Sequence, residues 1–223
     1  MTSDLLAVVF DMDGVIVESE QVWDEVRQAY VEEKGGRWTP AASTDQMGMS
    51  TPEWSAYLVD SLGVPGPAEQ VADEVIERVA EALGDEPPLI DGAVDVVRAV
   101  AGRWPIAVAS SSPPRLIAAV LDAARIRELF GAEVSSETVP RGKPAPDVYL
   151  EACRRLGVDP AHAAAVEDSS NGIRSAAAAG LTVLAVPNRG YPPAEDALAQ
   201  ATHVASSIME VPGLLVAAMR AAG

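Results

Sequence analysis

The chain reads as an α/β protein built on an open parallel sheet, with an all-helical segment inserted near its start. Three observations predict this. Short apolar runs without the alternation of a half-solvated strand recur along the chain and alternate with amphipathic segments of helix length. The conspicuous polar clusters follow directly on these runs or lie in loops on the same side. Residues 15–88 carry helix patterns only and interrupt the alternation.

Taken in order, Leu5 to Phe10 (LLAVVF) is a buried parallel strand that runs straight into Asp11-Met12-Asp13-Gly14. Ser19 to Lys34 is a helix with Val22, Val26 and Tyr30 on one side, ended by Gly35-Gly36. A second helix runs from Thr51 to Leu62, with Ser50 or Thr51 as cap, Pro52 in the first turn and Glu53 close behind. A third runs from Pro67 to Leu83, with Val71, Val75, Ile76, Val79 and Leu83 on one side. Asp85-Glu86-Pro87-Pro88 then breaks the chain.

Beyond Leu89 the rhythm is α/β. Helices are expected at 92–103, 113–124, 146–156 and after Ser170; strands at 105–110, 132–135, 163–166, 181–186 and, weakly, 203–205. Such alternation implies a parallel sheet with right-handed crossovers. The domains are therefore a core of 1–14 and 89–223 and a helical lid of 15–88.

Composition narrows the function. With a formal net charge of −17, the chain is a poor partner for nucleic acid. Residues 15–88 hold 16 of the acidic residues against 4 basic ones, so the lid is ill suited to gripping a large or doubly anionic ligand. No run approaches the length of a membrane span, and the first strand starts too early to leave room for a signal peptide. Cys153 stands alone and reads as a small core residue, and His162 and His203 lack metal-ligand spacing. A cytoplasmic enzyme is expected, with no membrane or nucleic-acid partner.

Four clusters share one positional property. Asp11/Asp13, Ser110 with Ser111 and Ser112, Lys143, and Glu167/Asp168 all lie just after a predicted strand or in a loop on that side. Parallel strands place their carboxyl ends on one edge, so the clusters converge on one crevice. Asp11 and Asp168 supply hard oxygens suited to Mg²⁺, and the Asp13 main-chain carbonyl adds a third. Lys143 offers a point charge for a phosphoryl oxygen. Ser110 precedes a Pro-initiated helix, where its hydroxyl and nearby amides can face an anion. Plainer roles stand beside these: an Asp-Gly turn after a strand, helix caps at Asp168 and Ser110, and a solvated loop cation at Lys143.

These residues resemble the haloacid-dehalogenase-like superfamily of phosphatases and phosphotransferases over nearly the whole chain. DMDGVIVES looks like its first motif, VASSS its second, GKPAPDVYLEACRRLGV its third and VEDSSNGIRSAAAAG its fourth, in order. The resemblance implies a Rossmann-like parallel core with an inserted α-helical cap, of the subgroup that includes β-phosphoglucomutase and sugar-phosphate phosphatases. It implies Asp11 as nucleophile through an aspartyl-phosphate, Asp13 as general acid/base, and Lys143 as restraint on Asp11. Ser110, Ser111, Met12, Asp13 and Lys143 would hold the phosphoryl group. Asp11, Asp13 and Asp168, with Glu167 beside them, would hold Mg²⁺. Haloacid dehalogenases lack an acid at the second position and ion-pumping relatives have Thr there; Asp13 therefore resembles the members that turn over phosphate esters.

Residues 139–159 are similar to bacterial hexitol-phosphate and 2-deoxyglucose-6-phosphate phosphatases. Gly48, Met49 and Ser50 occupy the place of substrate-facing cap residues, and Trp23 is a candidate to stack on the leaving group, although such aromatics mostly pack interiors. The mutases are like G-x-S-R in this loop; here Thr51 follows Ser50, and the mutase-type His after the first motif is missing. A Mg²⁺-dependent phosphatase, a monomer acting on a small phosphorylated metabolite such as a sugar phosphate, is the leading expectation. A β-phosphoglucomutase-like phosphotransferase is the alternative, and a non-catalytic phosphate-ligand protein the second alternative.

Overall fold

A computed structural model describes residues 6–46, 49–188, 190 and 192–221. The first strand, β1 (Ala7–Phe10), is completely buried and central. It pairs in parallel with β2 (Ile106–Ser110) on one side and β4 (Ala163–Glu167) on the other. With β3 (Phe130–Ser135), β5 (Thr182–Ala185) and β6 (His203–Val204) the order is β3-β2-β1-β4-β5-β6, all pairs parallel. The chain first moves outward through β2 and β3, then returns to add β4 beside β1. The order therefore reverses between β1 and β4, where an open α/β sheet leaves a crevice at its carboxyl edge.

Strand alternation sends Val8 and Phe10 to one face of the sheet and Ala7 and Val9 to the other. The second face is lined by alanine from the strands: Ala107, Ala109, Ala132, Ala163, Ala165 and Ala185. Such small side chains admit bulkier ones from the helices covering this face, α7 (Asp147–Leu156) and α8 (Ser170–Ala178). Tyr149 and Cys153 on α7 are wholly buried there. The core role expected of Cys153 is what the fold gives it.

Before the sheet resumes come α1 (Glu20–Glu33), α2 (Ala42–Asp45), α3 (Thr51–Asp60) and α4 (Ala68–Leu83). Helix α4 packs on both α1 and α3, burying Val71, Val75, Ile76, Val79 and Leu83 as the spacing predicted. Helix α3 starts at a capping box: the Ser50 backbone N–H donates to Glu53 Oε2 (2.7 Å) and so does the Ser50 hydroxyl (2.7 Å). The face of α1 differs from the expected one. Trp23, Tyr30 and Val31 are buried, while Val22 and Val26 are only partly so. The stripe is rotated by one residue, which turns Arg27, at i+4 from Trp23, inward.

The two links joining this helical segment to the sheet pair with each other. Glu18 N–H donates to Pro88 O (2.8 Å) and Ile90 N–H to Ile16 O (3.0 Å), with an antiparallel bridge between Val17 and Leu89. On the other face of the sheet lie α5 (Ala93–Ala101), α6 (Pro114–Ala123) and α10 (Val211–Ala221). Helices α2, α9 (Glu195–Leu198) and α10 were not foreseen. The first two are single turns, too short for a periodicity to register. Helix α10 opens Val-Pro-Gly, which reads as a turn until Val211 and Leu215 dock beside α5.

Candidate active site

Asp11 leaves the end of β1 at the point where the strand order reverses. Its Oδ1 accepts the Met12 N–H (2.8 Å) and lies 3.0 Å from Lys143 Nζ. Lys143 is buried and also donates to Glu167 Oε1 at 2.6 Å. That oxygen accepts the Tyr149 hydroxyl as well (2.7 Å), and the Tyr149 ring lies 5.2 Å from the ammonium. Glu167 Oε2 accepts the Asp168 and Ser169 backbone N–H groups (3.1 and 3.3 Å) and the Ser169 hydroxyl (3.2 Å). Asp11, Glu167 and Asp168 each bring a carboxylate oxygen within 4.8 Å of the other two, all buried.

Two glycines make this crowding possible. Gly14 has φ +76°, and a β-carbon there would overlap the Asp168 carboxylate. A β-carbon at Gly172 would overlap the Glu167 carboxylate, which tucks against the first turn of α8.

Three carboxylates and one ammonium leave the cluster with excess negative charge. Burial, and then the Glu167 charge, push the Asp11 carboxyl well above the usual carboxylate range, only partly opposed by Lys143. Asp168 is raised in the same way by burial, Glu167 and Asp11. For Lys143, burial acts to lower the pKa, but Asp11 and Glu167 outweigh it and the net direction is up. Buried carboxylates starved of positive charge, offering hard oxygens, are a donor set that fits a divalent cation. Asp11 and Asp168 have oxygens to give. Both Glu167 oxygens already accept hydrogen bonds, so this residue is engaged chiefly in holding Lys143 and the turn after β4.

Asp13 sits in a cage of hydroxyls. Ser19 donates to its Oδ1 in a short hydrogen bond, and Ser110 (3.0 Å) and Ser112 (2.8 Å) donate to Oδ2. The Ser110 hydroxyl in turn accepts the Ser112 N–H (2.9 Å). Ser110 is thus turned toward Asp13, while Ser111 lines the open cavity. The fold brings together every core residue singled out from sequence. It adds roles for Ser112, named in the Ser110 cluster, and for Ser19 and Tyr149, which lie inside the first and third motif runs without having been singled out.

A cavity of about 460 Å³ opens above the cluster, walled below by Asp11, Asp13, Lys143 and Asp168 and above by the inserted helices. Trp23 and Met49 line it. Ser50 does not; its hydroxyl is held by Glu53, and Thr51 stands at the wall instead. Gly48 lies outside the described residues. Trp54, Gln46, Glu20 and Arg27 also line the cavity, the last two without a signal in the sequence. Burial, and next the Asp13 charge, lift the Glu20 carboxyl to about 7. Burial lowers the Arg27 guanidinium to about 10.

A parallel sheet with a buried carboxylate centre at its switch point, roofed by an inserted helical segment, defines a class of α/β enzyme. The family model for haloacid dehalogenase-like hydrolases matches residues 5–180, and the chain belongs to that family. It is 32% identical over 190 residues to hexitol phosphatase B of Escherichia coli K12, covering 82% of this chain and 84% of that one. It is 33% identical over 186 residues to the fructose-1-phosphate phosphatase YqaB of the same strain, covering 80% and 95%. Its fold superposes on the crystal structure of CbbY from Rhodobacter sphaeroides in complex with phosphate with a TM-score of 0.84, at 26% identity, covering 93% and 96% of the two chains. The chain is a hydrolase of this superfamily, and its phosphatase relatives support a phosphoric monoester hydrolase. No helix among the described residues is long and apolar enough to cross a membrane.

Proposed function

We propose that the protein hydrolyses a small phosphomonoester, a sugar phosphate, with Asp11 as nucleophile and Mg²⁺ as cofactor. The observation that carries this is Asp11 at the floor of the cavity, 3.0 Å from Lys143 and beside Asp168, with a second carboxylate two residues on. The relatives named as sugar-phosphate and hexitol phosphatases point to the substrate class.

Asp11 Oδ attacks phosphorus, forming the acyl-phosphate bond as the phosphorus–oxygen bond to the sugar breaks. Asp13 gives its proton to the departing alkoxide. A water molecule then attacks the same phosphorus, Asp13 takes its proton, and Asp11 leaves as carboxylate with release of inorganic phosphate. Lys143 and the Ser110–Ser111 turn hold the phosphoryl oxygens, while Glu167 and Tyr149 hold Lys143. Asp11, the Asp13 carbonyl and Asp168 would hold Mg²⁺, which when bound supplies the positive charge that two anionic reactants need. Residues 15–88 act as a cap, and the paired links at 15–18 and 87–91 are its hinges.

The test is phosphate release from a panel of phosphosugars with Mg²⁺, for the native chain and for Asp11→Asn. Release by the native chain and loss of nearly all turnover in the variant are expected. Appreciable turnover by the variant would contradict the nucleophile assignment.

A further inference from the structure

The cavity wall contains an arginine that has no ion pair or hydrogen bond among the described residues. The Arg27 guanidinium packs against two indoles, its central carbon 4.6 Å from the Trp23 ring centroid and 4.8 Å from that of Trp54. The rings themselves meet at 61° with centroids 5.9 Å apart. Arg27 Nε is buried and has no hydrogen-bond partner. Across the described residues the side chain makes no ion pair or hydrogen bond, although Glu20, Asp24 and Asp13 all act on it at longer range. Such burial is costly when no partner offsets it. Elsewhere in the lining of the same cavity, the pattern repeats. Gln46 is 3% exposed; its Nε2 donates to Ala42 O (3.0 Å), while its Oε1 is buried and has no partner among the described residues.

Both residues line the cavity that opens on Asp11. Packed on the indoles and lining the cavity, the guanidinium offers a ligand its planar set of N–H donors on a fixed mount. In the same cavity lining, Gln46 Oε1 is an acceptor. Paired donors and acceptors of this kind match hydroxyl groups, each of which both accepts and donates. A second phosphate fits poorly, because a dianion would find a single cation surrounded by Glu20, Asp24 and an insert with 16 acidic and 4 basic residues.

We propose that Arg27 and Gln46 form a polyol-reading subsite, with Arg27 donating to hydroxyl oxygens of an uncharged leaving group and Gln46 Oε1 accepting from them. This rests on the phosphatase reading and narrows its substrate to polyhydroxylated monophosphates over bisphosphates.

The experiment compares hexitol 6-phosphate with butyl phosphate, which has the same ester and no hydroxyls, for the native chain, Arg27→Met, Arg27→Lys and Gln46→Leu. The ratio of kcat/KM for the two substrates is expected to fall roughly tenfold or more in Arg27→Met and Gln46→Leu. Arg27→Lys keeps the charge but not the planar fork, and is expected to fall between native and Met. An unchanged ratio, or a native enzyme that prefers a hexose bisphosphate, would overturn the proposal. Calorimetric binding of hexitol 6-phosphate to Asp11→Asn with and without Arg27→Met reads the subsite independently of turnover. Roughly tenfold weaker binding is expected in the double variant and equal binding refutes the subsite. Absence of phosphate release from every ester by the native chain would refute only the phosphatase reading.

Discussion

Lys143→Met is the sharpest test of how this centre is held together. The ammonium lies 2.6 Å from Glu167 and 3.0 Å from Asp11, and all three side chains are buried. Among the described residues no other ammonium or guanidinium pairs with these carboxylates. At an effective dielectric of about 20, each contact corresponds to roughly 5 kcal/mol of Coulomb attraction. Most of that is offset by the cost of taking the charges out of water. Deleting one partner while the others remain buried typically costs about 3–5 kcal/mol. A domain of this size loses roughly 2–4 °C per kcal/mol, so the midpoint should fall by about 6–20 °C. The assay is thermal unfolding followed by circular dichroism in the presence of EDTA.

The pH dependence gives a second reading. The Asp11 and Asp168 carboxyls are raised by burial and by Glu167 even with Lys143 present, and the variant lacks what lowers them. A carboxyl raised above its unfolded value, about 4, binds its proton more tightly in the folded state. Its contribution is retained at low pH and lost as pH rises through the folded value. The deficit of Lys143→Met should therefore be larger at pH 8 than at pH 5, where protons replace the missing cation. A midpoint within about 2 °C of native at pH 8, or an equal deficit at both pH values, would refute the charge argument.

Tyr149→Phe deletes one hydrogen bond to Glu167 in a fully buried setting and should cost about 1–3 kcal/mol in urea unfolding; a loss under about 0.5 kcal/mol would show that the hydroxyl is dispensable. Gly14→Ala forces a β-carbon into the Asp168 carboxylate at φ +76°. Phosphate release should fall steeply, and native rates would mean that the turn relaxes without moving Asp168. On the cap, Lys34 (2.7 Å), Gln70 and Tyr30 donate to Glu74 and hold its carboxyl near 2, below its ordinary 4.5. A depressed carboxyl stabilises above its unfolded value and loses that contribution as pH falls toward the folded one. Glu74→Gln should flatten the acid limb of the stability curve between pH 4.5 and 2, less so in high salt because the pair is near the surface. An unaltered limb would exclude this pair from acid unfolding.

The core of the site was legible because it needs little three-dimensional information. Asp11, Ser110 and Asp168 each follow an apolar strand, and parallel pairing alone carries such residues to a single edge. Strand ends showed closely for the same reason: burial on both faces leaves an unbroken apolar run, as at Ala163–Glu167. Helix boundaries on the cap were recovered within a few residues from caps and breakers. The helix face of α1 was not. Val22, Val26 and Tyr30 make a plausible stripe, but docking on α4 rotated it toward Trp23.

What the chain by itself determined is thus the parallel architecture and the carboxylates at its edge, since short-range apolar patterning and strand direction suffice for both. Only the tertiary structure decided that Tyr149 supports Lys143, that Ser19 and Ser112 cage Asp13, and that Arg27 packs against two indoles in the cavity wall. Each of these depends on the rotational phase of a helix or loop against a partner far away in sequence, and that phase is set by packing.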